Sequence, residues 1–165
     1  MKKVALICTL IIGFTYAGQT QVNPHAIGFR GGLGNNGAGG EISYQHGFGD
    51  VNRLELDLGF RSLNTIGSKK RHFVLAGIYH WVWNIEDGFN WYLGPGARIG
   101  FWNDSSGSEP SGITLGIGGQ VGIEYDFQEL GVPLLLGLDS RPMWGLIGNA
   151  SGFVYGAAIS LRYTS

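Results

Sequence analysis

Three observations predict an all-β chain that closes as an eight-stranded, antiparallel, up-and-down transmembrane β-barrel. The first is strict alternation, clearest in RLELDLGF (Arg53–Phe60). There Leu or Phe takes every second place, and Arg53, Glu55 and Asp57 stand between them. A period of two is that of a strand with one apolar and one polar face. The second is composition: charged residues make up 14%, well below the roughly 25% of a typical soluble domain, alongside 30 glycines and 13% aromatics. The third is placement, because Gly28, Gly32, Gly59, Gly94, Gly96, Gly100, Gly116, Gly118, Gly122, Gly137 and Gly156 fall on the same face as the charges.

The chain of 165 residues suffices for one domain. It opens with Lys2 and Lys3, an apolar run from Val4 to Phe14, and Thr15-Tyr16-Ala17. The run is too short for a helix to span a bilayer, and Thr-x-Ala suits signal peptidase. Residues 1–17 are therefore expected to be a cleaved signal peptide and 18–165 the barrel domain. Cys8, the only cysteine, lies in the leader, so the mature chain has no thiol for a disulfide or a metal. Cleavage leaves nine basic side chains against 12 acidic ones. That balance argues against nucleic acid as a partner, which calls for a basic surface.

Eight alternating stretches follow, divided by Gly, Asn, Asp, Ser and Pro clusters: roughly 25–32, 40–46, 53–61, 72–83, 90–101, 113–125, 133–141 and 153–163. Ile27 and Phe29 set the apolar face of the first strand, Ile42 and Tyr44 that of the second, and Leu54, Leu56, Leu58 and Phe60 that of the third. The fourth is apolar on both sides, since Val74, Ala76, Ile78 and Val82 share a face with His80. Trp91, Leu93, Ala97, Ile99 and Phe101 define the fifth; Ile113, Leu115, Ile117, Val121, Ile123 and Tyr125 the sixth. Leu134, Leu136 and Leu138 define the seventh, and Phe153, Tyr155, Ala157, Ile159, Leu161 and Tyr163 the eighth. The expected connections include GLGNNGAG, GFGDVN, Asn64 to Lys70, Asn84 to Phe89, NDSSGSEPSG, Asp126 to Gly131, and Met143 to Gly152.

The opposite face carries Arg30, Glu41, Arg53, Glu55, Asp57, Arg61, Arg98, Glu124, Asp139, Arg141 and Arg162. In a soluble barrel the leucines would fill the interior; in a membrane barrel they meet lipid and the charges line the lumen. Glycine decides between the two. It weakens a strand and has little reason to line a solvent face. In a lumen just wide enough for side chains, glycines leave the space that long Arg and Glu side chains need. Because an unpaired buried charge is costly, these groups should pair. The candidate lumenal network is Arg30, Glu41, Glu55, Asp57, Arg98, Glu124, Asp139, Arg141 and Arg162, with Arg98, Glu55, Asp57, Glu124 and Arg162 at its centre.

Aromatics agree. With strands running alternately up and down, Phe60, Phe73, Phe101 and Phe153 fall near one rim, and Trp83, Trp91, Tyr125 and Tyr163 near the other. Paired aromatic girdles are what the two bilayer interfaces select. The final strand, GAAISLRY, sets Gly156, Ile159, Leu161 and Tyr163 in a glycine-then-alternating pattern. It resembles the terminal-strand signal that outer-membrane barrels present to the assembly machinery, although Thr164 and Ser165 extend past the usual aromatic end.

One longer stretch, GIEYDFQELGVPLLLGLDSRPMW (Gly122–Trp144), resembles a recurrent segment of small Bacteroidota outer-membrane β-barrel proteins, porin-like or OmpA-like in architecture. The matching residues are Glu124, Tyr125, Pro133, Asp139, Arg141 and Pro142. The resemblance implies the barrel fold and an outer-membrane location, and no reaction; the outward apolar face and the terminal strand make outer-membrane lipids and the barrel-assembly machinery the expected partners. Structural or surface-interaction work by the loops is the expected function, with no cofactor and no metal. The basic run Lys69, Lys70, Arg71 is expected in an exposed loop, where it could contact lipopolysaccharide phosphates.

Two other functions remain open at this point: a lipid-A-modifying enzyme of the same fold, and an exported soluble binder of lipocalin type with its apolar face inside. Asp139-Ser140 and His46 raise hydrolysis, but a serine nucleophile needs a His in reach and a carboxylate to orient it. No His-x-Ser on one strand face supplies that. The GLGNNG stretch (Gly32, Gly34, Gly37) matches the dinucleotide fingerprint letter for letter, yet no helix follows to receive a pyrophosphate. His25, His46, His72 and His80 lack close same-face spacing with Cys, Asp or Glu.

Overall fold

The computed structural model describes residues 22–35, 37–65, 68–104, 112–147 and 152–165. The expected signal peptide with Cys8 lies outside them, as do residues 105–111 and 148–151 of the expected loops. The strands are β1 (His25–Gly34), β2 (Gly37–Phe48), β3 (Asn52–Thr65), β4 (Ser68–Glu86), β5 (Phe89–Asp104), β6 (Gly112–Asp126), β7 (Leu134–Ser140), β8 (Met143–Ile147), β9 (Gly152–Val154) and β10 (Gly156–Thr164). Neighbours in sequence pair antiparallel from β1 to β6. The sheet closes where β10 pairs with β1, from Ala26 opposite Thr164 to Gly34 opposite Gly156. Closure removes the unpaired edges that an open sheet would offer to other chains.

Among the described residues ten strands make eight staves. β7 and β8 both pair with β6 and are one stave interrupted at Arg141-Pro142. Proline has no N–H to give to a ladder, and here its carbonyl alone is used, accepting from the Gly119 N–H at 3.0 Å. The eighth stave breaks opposite, at Tyr155, where β9 pairs with β8 and β10 with β7. The expected loop from Met143 to Gly152 therefore holds a further strand. A Pro in an otherwise extended run reads as a strand end, which is why the sequence concealed it.

Other connections are tighter than expected. β1 and β2 join at residues 35–36, with Gly34 opposite Gly37, so the glycines of GLGNNG belong to strands and no helix N-terminus follows them. Asn64 to Lys70 is not a loop: Asn64 stands opposite Lys69 and Thr65 opposite Ser68. Lys69, Lys70 and Arg71 thus belong to β4 and not to an exposed loop. Pairing with β3 on one side continues the ladder past the point where the apolar alternation stops. The turn at Asp87-Gly88 uses a left-handed Gly88 (φ 71°). After β6 a single 3-10 turn, Phe127–Leu130, is capped by Asp126, whose Oδ1 accepts from the Gln128 N–H at 2.9 Å.

Candidate functional site

The RLELDLGF segment decides which way the sheet faces. Leu56, Leu58 and Phe60 are 42%, 49% and 56% exposed, whereas Arg53, Glu55 and Asp57 are 2%, 0% and 1%. The same inversion runs around the barrel: Ile27, Phe29, Ile42, Phe101, Ile123, Leu138 and Leu161 are exposed, and Arg30, Glu41, Glu124, Asp139 and Arg162 are buried. A soluble binder of lipocalin type would need the opposite, so that alternative is overturned. Strand four, apolar on both sides in sequence, turns Ala76, Ile78, His80 and Val82 inward and Phe73, Leu75 and Trp81 outward.

Inside, Glu55 is a hub. Its carboxylate accepts from Gln45 Nε2 (2.6 Å), Gln120 Nε2 (3.2 Å), Arg141 Nη2 (2.9 Å) and Arg162 Nη2 (2.9 Å). Arg162 also donates to Ser43 Oγ (2.9 Å) and Ser160 Oγ (2.7 Å). Arg141, placed at the β7–β8 break, reaches Glu41 Oε2 at 3.1 Å and pairs closely with Asp57. Arg30 bridges Glu41 Oε2 at 2.7 Å and Asp139, which it grips through both Nε and Nη2. Asp139, Arg30, Glu41, Arg141, Asp57, Glu55 and Arg162 form one connected chain of charges across the lumen. Each buried carboxylate thereby meets the charged donors that offset its lost hydration.

Glu124 stands apart from that chain, contrary to the expected single network. Arg53 holds it with two parallel bonds, Nη1–Oε1 at 2.8 Å and Nη2–Oε2 at 2.7 Å. The Arg53 guanidinium also lies 4.6 Å from the Tyr92 ring centroid and donates from Nε to His80 Nδ1 at 3.2 Å. Arg98 sits beside the vestibule that Arg30, Glu41 and Arg141 line. The described inward positions thus hold five carboxylates (Glu41, Glu55, Asp57, Glu124, Asp139) and five arginines (Arg30, Arg53, Arg98, Arg141, Arg162), a balanced interior. Arg53, Gln45, Gln120, Ser43, Ser160, His80, Tyr92 and Met143 are lumenal residues absent from the candidate network. The neutral ones carry no charge to attract notice; parity with Glu41 could have pointed to Ser43 and Gln45, with Glu124 to Gln120, with Arg98 to Tyr92 and with Arg162 to Ser160, whereas no charge of the candidate network lies on the strands of His80 and Met143.

Glycine positions match this crowding. A Cβ on Gly59 would stand 2.7 Å from Glu41 Cγ, one on Gly122 2.5 Å from the Tyr92 ring, and one on Gly116 2.9 Å from Arg98 Nε. Two spaces among the described residues are slight: about 30 Å³ toward the Met143–Tyr155 end and about 10 Å³ beside Asn90 and Glu124, room for a water or two.

On the outer face, Phe60 and Phe73 lie 4.0 Å apart between ring centroids, with Phe101 opposite Phe73. Phe153 is 6.4 Å from Trp144. All of these stand toward the barrel end where Gly34 faces Gly37 and Thr65 faces Ser68. Trp83 stacks on Trp91 at 4.4 Å and Tyr125 packs against Phe127 at 4.8 Å, near the opposite end. Tyr163, opposite Ile27 and Leu134, shares that end. Ile159 and Leu161 point outward from β10, and Gly156 lies against the backbone of Leu33 and Gly34 where the barrel closes.

A closed antiparallel barrel of eight staves, apolar outside and ion-paired within, is the architecture of the bacterial outer-membrane β-barrels. Solved structures place the chain in that fold. It is similar to Neisserial surface protein A (TM-score 0.63, 12% identity, 86% of this chain and 94% of that one). It is similar also to the N-terminal β-barrel domain of Pseudomonas aeruginosa OprF (0.63, 19%, 89% and 100%). A third is Ail, the attachment invasion locus protein of Yersinia pestis (0.57, 12%, 84% and 95%). No family model matches the sequence, and no curated protein matches it.

Proposed function

We propose that the chain is an outer-membrane protein of a Gram-negative bacterium, exported through the signal peptide at residues 1–17, whose barrel is a closed anchor and whose work is surface interaction. One observation carries the location: a sheet with no free edge exposes its leucines and encloses its carboxylates, an arrangement that is favourable in lipid and costly in water. The resemblance of Gly122–Trp144 to Bacteroidota barrels supports the same reading, as does the terminal pattern Gly156, Ile159, Leu161 and Tyr163, which would engage the barrel-assembly machinery. The ion-paired lumen favours a plug over a pore for solutes. An enzyme acting on lipid A gains no support, because Asp139, the carboxylate next to Ser140, is committed to Arg30.

The interacting part is the β3–β4 hairpin. A membrane-crossing strand needs about 9–11 residues, whereas β4 has 19 and β3 has 14. Past the Phe60–Phe73 pair the two continue to Thr65 opposite Ser68, five further residues or roughly 16 Å of strand. That extension carries Arg61, Lys69, Lys70 and Arg71, cations that suit lipopolysaccharide phosphates. Membrane fractionation and gel mobility with and without boiling test the location. Recovery in the soluble periplasm, or mobility that heat leaves unchanged, would reject it. Co-sedimentation of the refolded barrel with lipopolysaccharide tests the surface reading. Replacing Lys69, Lys70 and Arg71 by Ser should weaken binding and flatten its salt dependence while leaving heat-dependent mobility intact; unchanged binding would rule out this hairpin.

A further inference from the structure

The antiparallel register of β1 and β2 sets His25 directly opposite His46, although 20 residues separate them in sequence. Both are on the outer face, by parity with Ile27 and Tyr44, at the barrel end that also carries Tyr163. The two Nδ1 atoms are 3.3 Å apart, and His25 Nδ1 is 2.8 Å from Tyr44 Oη. The rings are 5.0 Å apart between centroids at 28°. Among the described residues no three side chains of the His, Cys, Asp and Glu set gather as a metal site. This pair with its phenol neighbour falls below that count, yet its spacing is that of two ligands on one ion.

Zinc binds imidazole nitrogen at about 2.0–2.1 Å, and a tetrahedral angle then separates two such nitrogens by about 3.3–3.4 Å. At most one proton can occupy the gap between the two Nδ1 atoms. With both rings in the Nε2–H tautomer, two lone pairs would share that gap, and a cation would satisfy both. Imidazole pairs suit zinc, copper and nickel, while calcium and magnesium prefer oxygen. We propose that His25 and His46 form a rim site for a divalent ion of the zinc class, with water filling the remaining positions and the Tyr44 hydroxyl, 2.8 Å from His25 Nδ1, yielding that lone pair to the ion. His25 is exposed, so an ion has access from the aqueous edge of the interface. In a bare interfacial belt of aromatic rings, by contrast, spacing between nitrogens would have no consequence.

The experiment uses untagged, detergent-refolded barrel and titrates Zn²⁺ alone by isothermal calorimetry. The expected result is one equivalent bound per chain, lost in both His25→Ala and His46→Ala and kept in His72→Ala. Gel mobility with and without boiling verifies that each variant is a folded barrel. His46→Phe keeps an aromatic ring at the interface, and it should lose the ion while folding as the parent does. Absence of zinc binding in the parent overturns the proposal, as does binding that persists in both single alanine variants.

Discussion

Replacing Leu56 by Arg tests the facing of the whole sheet at one position. Leu56 lies midway along β3, between Leu54 and Phe60 on the outer face, opposite Tyr44 on β2 and Gly77 on β4. Its Cδ2 is 3.6 Å from where a Gly77 Cβ would stand, so the leucine also covers the bare backbone there. An arginine removes that cover and sets a charge against hydrocarbon. The cost near the midplane is about 2–4 kcal/mol, which lowers the folding constant roughly 30- to 1,000-fold. In water an arginine on an exposed strand face would cost no more than about 0.5 kcal/mol. The assay is urea unfolding in lipid vesicles, followed by tryptophan fluorescence and by heat-dependent mobility. A Leu56→Arg midpoint equal to that of the parent would refute the outward assignment of β3, and the location that depends on it.

Three further outcomes follow from the interior. Glu55→Leu leaves Arg141 and Arg162 each short of a carboxylate, and should destabilise the barrel by about 3–5 kcal/mol. Glu55→Gln keeps the acceptor oxygen and should cost less in the same urea titration; equal losses would mean that charge is not what the site requires. Gly94→Ala places a Cβ 1.6 Å from the Tyr79 carbonyl oxygen, where backbone must move, so heat-modifiable barrel should be scarce after refolding. Gly59→Ala meets only the flexible Glu41 Cγ at 2.7 Å and should refold with a penalty of about 1–3 kcal/mol. Arg53→Met strands the Glu124 carboxylate and should cost about 3–5 kcal/mol by urea midpoint, whereas an unchanged midpoint would show that water reaches Glu124.

How far the sequence carries this structure depends on which physical quantity is asked for. Facing is a local property. Glu55 and Leu56 differ by one residue and must point to opposite sides, so wherever a segment alternates cleanly its inward and outward positions are assigned without knowledge of neighbours, the apolar fourth strand and the concealed Met143–Ile147 strand excepted. Partnership is not local. Arg53 and Glu124 are 71 residues apart and meet across the barrel, at a distance set by stagger and closure. No spacing in RLELDLGF or GIEYDF encodes that stagger, so the expected cluster of Arg98, Glu55, Asp57, Glu124 and Arg162 included Glu124, which the structure pairs with Arg53 apart from Glu55, Asp57 and Arg162. His25 and His46 went unpaired for the same reason. The Arg141-Pro142 break was hidden differently, because a proline reads as a strand terminus, whereas a stave can lose one N–H and resume at Met143.

The fourth strand, which broke the alternation, shows how such a lumen is filled. Were every inward position charged, the interior would need as many opposed pairs as its width could not hold. β4 instead supplies Ala76, Ile78 and Val82 to the interior. Ala76 and Ile78 pack with Met143, while Val82 packs with Val22 and Tyr92. Two small apolar clusters thus stand beside the ion-paired chain and occupy lumen that water would otherwise fill. In that setting each Arg–carboxylate contact is stronger, and each unpaired charge more costly, than in a wet channel. The apolar strand and the charged strands are therefore one design, with β4 making the salt bridges opposite it worth keeping. Ile78→Asn, which admits a polar group and water at the Met143 cluster, should destabilise the barrel and also shrink the difference between Glu55→Leu and the parent. Additive losses in the double variant, measured by urea midpoint in vesicles, would show that the two halves of the lumen act independently.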